Sequence, residues 1–549
     1  MRELTIEIRG MTCDHCERAV ATALHAVPGV RRVDEVNHVR GFARVTAGPE
    51  ATSARIEDAI AKAGYRALVR PEPTGTVAST TIGQQAGEFD LTILGGGSAG
   101  FAAAIRAAEL GARVAMVEAG TLGGTCVNVG CVPSKTLIRA AEMQHRRLHH
   151  GFQGIPITGG SVDWNLVRTQ KDELVAGLRQ AKYWDVLHAY PSITLFEQQA
   201  EIASGGGVRL ADGRIITSGK ILVTTGASPW APPIPGLADA GHLDNASAMA
   251  LPELPNSLIV IGASAVGLEL AQMFARLGVT VTVVEAQPRV VPGEDPDVGD
   301  ALGASLEREG LDLRIGMQIE RVGRDGSDYT VSFKGGGSVR AEQLLVATGR
   351  RANVAGLGLG AAGVALGKKG EIVVDQFLQT ANPGIYAAGD VTGDPMFVYV
   401  AAYGGTIAAE NALRGNARRY DLAALPKVTF TDPAVASVGL TADQARAQGI
   451  GPLVSLLPME HVPRSLAARD TRGFIKLVAD AATRKIVGAH ILAAEAGEMI
   501  TEPAMAIKFG LTIDDLTSTF HPYLTLSEGI KLAAQTFDRD VAKLSCCAA

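Results

Sequence analysis

A chain of 549 residues exceeds what one hydrophobic core supports, and at about 100 to 200 residues per domain it implies three or four. Hydrophobic residues make up 47% and charged residues 20%, proportions ordinary for a globular protein. A formal charge of -6 offers no basic field for nucleic acid or anionic lipid, so neither partner is expected.

The opening MRELTIEIRG alternates charged with apolar residues and lacks the apolar core of a signal peptide. The most apolar later stretch, 91–108, is glycine-rich and carries Arg106, so no membrane span is expected. Residues 1–70 read as a small domain with the order βαββαβ, a ferredoxin-like pattern. Its strands are expected at 4–9, 30–36, 39–46 and near 65–69, with helices after the first cysteine pair and from about Thr52. Residues 71–88, rich in Pro, Gly, Ser and Thr, have little to bury and read as a flexible tether.

The loop GMTCDHC places Cys13 and Cys16 at a helix entrance, where the helix dipole lowers thiol pKa. Two thiolates suit a linear soft ion. A structural zinc wants four ligands, with His15 the one other candidate nearby, and the order of elements argues against a thioredoxin-like role. The loop resembles the heavy-metal-associated domain, for which copper stays open as a cargo.

From Phe89 onward, strands bounded by glycines alternate with helical stretches, predicting an α/β architecture with two dinucleotide-binding units. In DLTILGGGSAGFAAAIRAAELGARVAMVE, Gly95, Gly97 and Gly100 have the spacing that turns the chain, lets backbone approach a pyrophosphate and packs helix on strand. Glu118 ends the next strand, where a carboxylate accepts from ribose hydroxyls. In SLIVIGASAVGLELAQMFARLGVTVTVVE, Gly262 and Gly267 keep the outer positions, Ser264 takes the middle one, and the acid is Glu285. That acid favours NADH, whereas Arg289 offers a partner for the extra phosphate of NADPH.

Between these units lies GGTCVNVGCVPSK, residues 123–135, with Cys126 and Cys131. All six cysteines fall in close pairs, which in a long chain points to redox or metal chemistry in a reducing, cytoplasmic compartment rather than to a secreted disulfide framework. The cysteine segment, VATGR at 346–350 and IYAAGD at 385–390 resemble the flavoprotein disulfide reductases across residues 89–549. The resemblance implies an FAD-binding domain at 89–233 rejoined by 355–424, an NAD(P)H-binding domain at 234–354 and a dimerisation domain at 425–549. It places Gly349, Gly389 and Asp390 at the flavin, with Asp390 by the ribityl chain. Cys131 would be the flavin-side charge-transfer thiol and Cys126 the interchange thiol, with Lys135 and Glu269 paired near the flavin N5.

After about Leu425 a strand-rich segment precedes helices at 503–509 and 527–536, which suits a mixed sheet with a packing face. Disulfide reductases of this group carry a histidine before a glutamate, as in HPTxSE, for thiol exchange. Here the stretch is HPYLTLSE, and alignment on Glu528 puts Tyr523 at the histidine position, with His521 two residues upstream. A phenol of reference pKa about 10 is a poor base at neutral pH, whereas reducing a thiolate-held metal ion needs no such proton transfer. His521 stays open as an alternative base. The vicinal Cys546 and Cys547 of KLSCCAA suit carriage of a soft cation by a mobile tail, since soft thiolates select soft metals.

Together these features resemble the mercuric reductases of the same group, in which Hg(II) is the substrate, NADPH the implied donor, and the tail of one subunit of a homodimer reaches the active site of the other. Tyr183, in QAKYWDVL, matches a second tyrosine near the metal in that family. A disulfide reductase of the dihydrolipoyl dehydrogenase type, and a metal-binding module fused to an unrelated redox core, remain the competing readings.

Overall fold

Leu4, Ile6 and Ile8 alternate with polar residues along the strand Arg2–Arg9, so one face of that strand is apolar and buried. In the computed structural model, which describes residues 2–9, 14–37, 42–48, 50–69 and 88–543, this strand belongs to the first of two units, 1–84 and 85–549. Its antiparallel sheet has the order Val30–Asn37, Phe42–Ala47, Arg2–Arg9, Arg66–Val69. Helices Asp14–His25 and Ser53–Lys62 contribute Val20, Leu24, Ile56 and Ile60, spaced by one turn, to the same core as Ala43 and Val45. The order βαββαβ is the one the apolar periodicity predicts. The start of the strand expected at 39–46 and the tether expected at 71–88, apart from Glu88, lie outside the described residues.

The second unit holds two parallel sheets, each built around a strand whose residues are almost all apolar and buried. The first has the order Ile385–Ala387, Ser218–Val223, Phe89–Leu94, Val114–Val117, Ile193–Phe196. Ile385–Ala387 comes from a distant part of the chain and pairs in parallel with Ser218–Val223. The following helix, Val398–Arg414, packs tightly on Ser98–Glu109: a methyl at Gly405 would stand 2.1 Å from the Ala99 carbonyl oxygen. The second parallel sheet runs Asp312–Ile315, Thr280–Glu285, Ser257–Ile261, Gln343–Val346. In both sheets the strand before the glycine loop lies inside, which puts the loop at a carboxyl edge where nucleotides bind.

The last sheet, in the order Lys427–Thr429, Ala434–Gly439, Ile486–Ala493, Phe474–Asp480, Pro452–Pro458, is wholly antiparallel and not mixed. Residues 481–485 are too short a link for the crossover that parallel pairing of its neighbours demands. Helices Thr501–Phe509, Ile513–Ser518 and Glu528–Gln535 share its core through Ala506, Ile513, Leu516, Ile530 and Ala533. The chain is thus α/β with two Rossmann-like domains and an α+β domain, preceded by the small ferredoxin-like one. Among the described residues no helix is long and apolar enough to cross a membrane.

Candidate active site

The segment after the first nucleotide-binding strand turns at Gly123 and Gly124, both with positive φ (99° and 63°), then forms the short helix Gly124–Val129. Gly130 breaks it, and Cys131 starts the 18-residue helix Cys131–Leu148. Cys126 and Cys131 are both half-buried free thiols, and the two side chains are hydrogen-bonded to each other. That hydrogen bond, helped by the Lys135 ammonium, pulls the Cys131 thiol down to about 7. The same bond, together with burial, pushes Cys126 up, so the negative charge settles on Cys131 and the proton on Cys126. Cys131 also sits where the helix dipole favours an anion.

Lys135 stands one turn along the same helix, and its Nζ donates to Glu269 Oε2 at 2.6 Å. The Glu269 side chain is only 6% exposed, and its other oxygen accepts from the Phe430 main-chain N–H at 2.9 Å. The ammonium also lies 4.7 Å from the centre of the Phe430 ring. Three segments far apart in sequence therefore converge beside the thiols. A network holds them in register: Arg276 Nη1 meets Asp432 Oδ2 at 2.9 Å, Arg472 Nη2 meets Asp432 Oδ1 at 2.7 Å, and Asp432 N donates to Gln272 at 2.8 Å.

Tyr183 lies in the single π-helical turn Gln180–Trp184, edge-on to Phe101 with ring centres 4.7 Å apart. Burial first, and then the neighbouring Cys126, push its phenol pKa up. The sequence did not single out Tyr399, whose hydroxyl donates to the Pro426 carbonyl at 2.5 Å and is pushed up to about 12 by burial and the charge of Cys131. Asn128 was also missed. Its amide donates to the carbonyls of Leu122 (3.0 Å) and Gly124 (2.8 Å), and its oxygen accepts from Arg179 at 2.6 Å, which fixes the thiol loop.

In the first glycine loop, a methyl at Gly95 would meet the Thr224 carbonyl oxygen at 2.4 Å, and one at Gly100 the Gly95 carbonyl oxygen at 1.9 Å. In the second, Gly262 and Gly267 repeat this, with contacts of 2.5 Å to Ala347 O and 2.0 Å to Gly262 O. The middle positions differ in kind. Gly97 and Ser264 both adopt extended backbone (φ -83° and -93°), so a serine is accommodated without strain. Neither helix is capped by a side chain, which leaves amide groups directed at the place a pyrophosphate occupies.

The polar groups near Asp390 are of the kind a bound flavin would satisfy. Gly389 has φ 80° and presents Asp390, whose carboxyl burial raises in pKa. Arg350 Nε lies 4.0 Å from Asp390 Oδ2 and is buried without a hydrogen-bond partner, while its Nη2 donates to Ala227 O and to Thr125 Oγ1. An orphaned guanidinium nitrogen next to the thiol loop is the kind of donor a bound heterocycle or polyol satisfies. A methyl built at Gly349, which has φ 127°, meets only open space.

Tyr523 belongs to the turn that precedes the last helices. It lies ahead of helix Glu528–Gln535 and is 56% exposed, with Phe520 97% exposed and Leu524 at positive φ beside it. His521 is engaged at both ring nitrogens, with Glu502 Oε1 at 2.7 Å and the Thr519 carbonyl at 3.1 Å, and the Glu502 bond raises its pKa. Cys16 is half-buried against the core of the small unit, whereas Cys13, Cys546 and Cys547 lie outside the described residues.

Comparison with known proteins gives three family matches: pyridine nucleotide-disulphide oxidoreductase at 89–405, its dimerisation domain at 425–534, and the heavy-metal-associated domain at 5–66. A mercuric reductase of Staphylococcus aureus is 44% identical, with 99% of this chain and 98% of that protein aligned. One of Streptomyces lividans is 47% identical over 84% of this chain and 98% of its own length. Among solved structures, the HOCl-induced flavoprotein disulfide reductase RclA of Escherichia coli superposes with a TM-score of 0.74 at 32% identity, covering 81% of this chain and 99% of that one. LpdA of Mycobacterium tuberculosis gives 0.74 at 29% identity, covering 82% and 100%.

Proposed function

We infer how this chain works from the premise that it belongs to the pyridine nucleotide-disulphide oxidoreductases and, within them, to the mercuric reductases. It is an NAD(P)H-dependent flavoprotein that reduces Hg(II) to Hg(0), and it carries the family's dimerisation domain and an N-terminal heavy-metal-associated domain.

FAD, when bound, takes two electrons from the nicotinamide and supplies them at the thiol pair. Its holders in this reading are the backbone of Gly95, Gly97 and Gly100, the carboxylate of Glu118 at the ribose, and Asp390 with Arg350 further along; Gly349 leaves room. Gly262, Ser264 and Gly267 cradle the pyrophosphate of the nicotinamide nucleotide, with Glu285 at its ribose. Cys131 acts as thiolate and Cys126 loses its proton on binding Hg(II), so the metal is held by two sulfurs and one proton is released. Two electrons would then convert the ion to Hg(0), leaving Cys131 as thiolate while Cys126 takes back the proton it released. The balance is NAD(P)H plus Hg(II) giving NAD(P)+, a proton and Hg(0).

Lys135 and Glu269 hold a fixed charge pair beside Cys131, and the Phe430 N–H anchors that pair. Tyr183 and Tyr523 orient the bound cation. Cys13 and Cys16 collect the ion on the small unit, and Cys546 and Cys547 of one subunit deliver it to the thiols of its partner, all in the reducing cytoplasm.

The observation that carries metal reduction over disulfide exchange is the engagement of His521. With Glu502 on one ring nitrogen and a carbonyl on the other, it has no nitrogen left to serve a departing thiolate, and alignment of the sequence on Glu528 supports Tyr523 at the exchange position. The test is anaerobic NAD(P)H oxidation with Hg(II) and excess small thiol, against oxidised glutathione and lipoamide. Fast turnover of either disulfide with none of Hg(II) would falsify this reading.

A further inference from the structure

The segment that carries Cys126 is held at both ends by one short stretch of another helix. The helix Gly124–Val129 has six residues, fewer than the roughly 12 to 15 at which an isolated helix becomes even marginally stable, so contacts from elsewhere hold it. At its start, Gly123 N donates to Gly96 O at 2.9 Å, and a methyl at Gly123 would stand 3.3 Å from the Tyr183 ring. Near its end, Asn128 Oδ1 accepts from Arg179 Nε at 2.6 Å. Arg179 closes the helix Trp164–Arg179, and Tyr183 follows in the π-helical turn, which Gln180 braces by donating from Nε2 to Asp185 Oδ1 at 2.8 Å. Positions 179 and 183 thus meet positions 128 and 123, and Cys126 lies between the two contacts.

A guanidinium only donates, so the Asn128 atom that faces it is the amide oxygen, and the amide hydrogens turn to the carbonyls of Leu122 (3.0 Å) and Gly124 (2.8 Å). In the reverse orientation the NH2 would face the guanidinium and the oxygen would face two carbonyls, which makes all of these contacts repulsive. Arg179 therefore decides which way the amide points, and the amide ties the end of the short helix to its beginning. Cys131 needs no such brace, because it starts an 18-residue helix. The placement of one sulfur against the other is set on the Cys126 side.

We propose that Arg179 is a positioning residue for the thiol pair: through the Asn128 amide it holds Cys126 in a fixed place relative to Cys131 and Tyr183. This rests on the reading of the thiol pair as the Hg(II) site and adds a residue to it, one that acts through the amide rather than on the metal. A two-sulfur complex demands exact placement of both sulfurs, and a misplacement of about 1 Å costs up to about 100-fold in rate. Replacing Arg179 with methionine keeps the apolar stem and removes the donor. Replacing Asn128 with alanine removes the amide itself.

The experiment is a double-substitution cycle in the FAD-loaded enzyme, with flavin content, thermal midpoint and the KM for NAD(P)H checked for each variant. Arg179→Met and Asn128→Ala should each lower kcat with Hg(II) by about 10-fold at unchanged nucleotide KM. Together they should cost no more than Asn128→Ala alone, because they break one linkage. Arg179→Lys, which keeps a cationic donor, should recover kcat to within about threefold of the unsubstituted enzyme. Hydrogen exchange reads the same linkage without mercury: in Arg179→Met the amides of 124–130 should exchange about 10-fold faster, with those of Ser98–Glu109 unchanged. A combined loss near 100-fold, the product of the two single losses, overturns the proposal, as does unchanged exchange at 124–130. An unsubstituted enzyme that leaves Hg(II) unreduced, with the exchange response as expected, would refute the mercuric activity while leaving the Arg179 linkage standing.

Discussion

The thiol loop and the 521–528 turn are both assigned to the same reaction, yet they differ in how completely one chain builds them. Around Cys126 and Cys131, side chains are tied to partners within the chain: Lys135 has Glu269, Glu269 has the Phe430 N–H, and Arg179 has Asn128. The turn instead exposes Phe520, Tyr523 and Leu524, apolar area that a monomer rarely leaves open. The first region is finished by intrachain contacts, and the second is shaped to be finished by another surface. The chain carries the family's dimerisation domain at 425–534, and the reading proposed above takes that surface to be a second copy of the chain.

The largest effect expected is at the finished region. Cys126→Ala should lower Hg(II) turnover by at least about 10³-fold, because a single remaining thiolate cannot hold a linear two-sulfur complex. Flavin reduction by nucleotide should persist, which separates loss of the metal site from loss of the fold. Substantial turnover in this variant would take the metal away from the thiol pair altogether.

Next in size is Tyr523→Phe, expected to slow Hg(II) turnover by about 10- to 100-fold without creating disulfide reductase activity. Mixing subunits sharpens the comparison. If the turn serves the partner's thiols, dimers formed from Cys126→Ala and Tyr523→Phe chains each have one fully intact site. Random assortment then restores about a quarter of the sites. Activity no greater than the sum of the parent homodimers would place both residues in one subunit's own site and remove the contrast.

Smaller again is the electrostatic tuning of Cys131. With its thiol at about 7, its alkylation by iodoacetamide in the reduced enzyme should rise with pH through that value, because the thiolate is the nucleophile. Lys135 lowers this pKa, so Lys135→Met should move the rise upward by about one unit, which cuts the thiolate fraction at pH 7 from about one half to about one tenth. Lys135→Arg should hold it near the original value. Mass-spectrometric quantification of the Cys131 peptide reads this directly, and an unmoved profile in Lys135→Met would leave the lowering to the hydrogen bond from Cys126 and to the backbone at the helix start.

The contrast between the two regions also explains what could be read without coordinates. Glycine loops are legible because their spacing is a steric requirement: a methyl at Gly100 or Gly267 would run into the carbonyl of its own turn. The cysteine segment is legible for a similar reason, since the break at Gly130 and the helix start at Cys131 are local. The Phe430 N–H, Tyr399, Arg350 and the Asp432 network carry no such signature, because what matters about each is a partner more than a hundred residues away. The arrangement of the last sheet fell between these cases. The sequence places two of its helices and, before them, a strand-rich segment without strand bounds, whereas the antiparallel pairing depends on how short the links between strands are.

The smallest effect is expected at the first unit. A tethered metal collector works by raising the local concentration of its cargo, so it matters when metal is scarce and loses its influence when exchange with small thiols is fast. The unit has its own sheet and its own core, in which Cys16 is only partly buried and Ile6, Val45 and Ile60 are fully so. Replacing both Cys13 and Cys16 by serine in the full chain should therefore change kcat by less than about twofold with Hg(II) supplied as a small-thiol complex in excess. Under limiting Hg(II), held by a protein thiol donor, the same double variant should be slower than the unsubstituted enzyme. A large loss under the first condition would mean that metal must pass through this pair on every turnover, making the head of the chain as indispensable as the loop at Cys126 and Cys131.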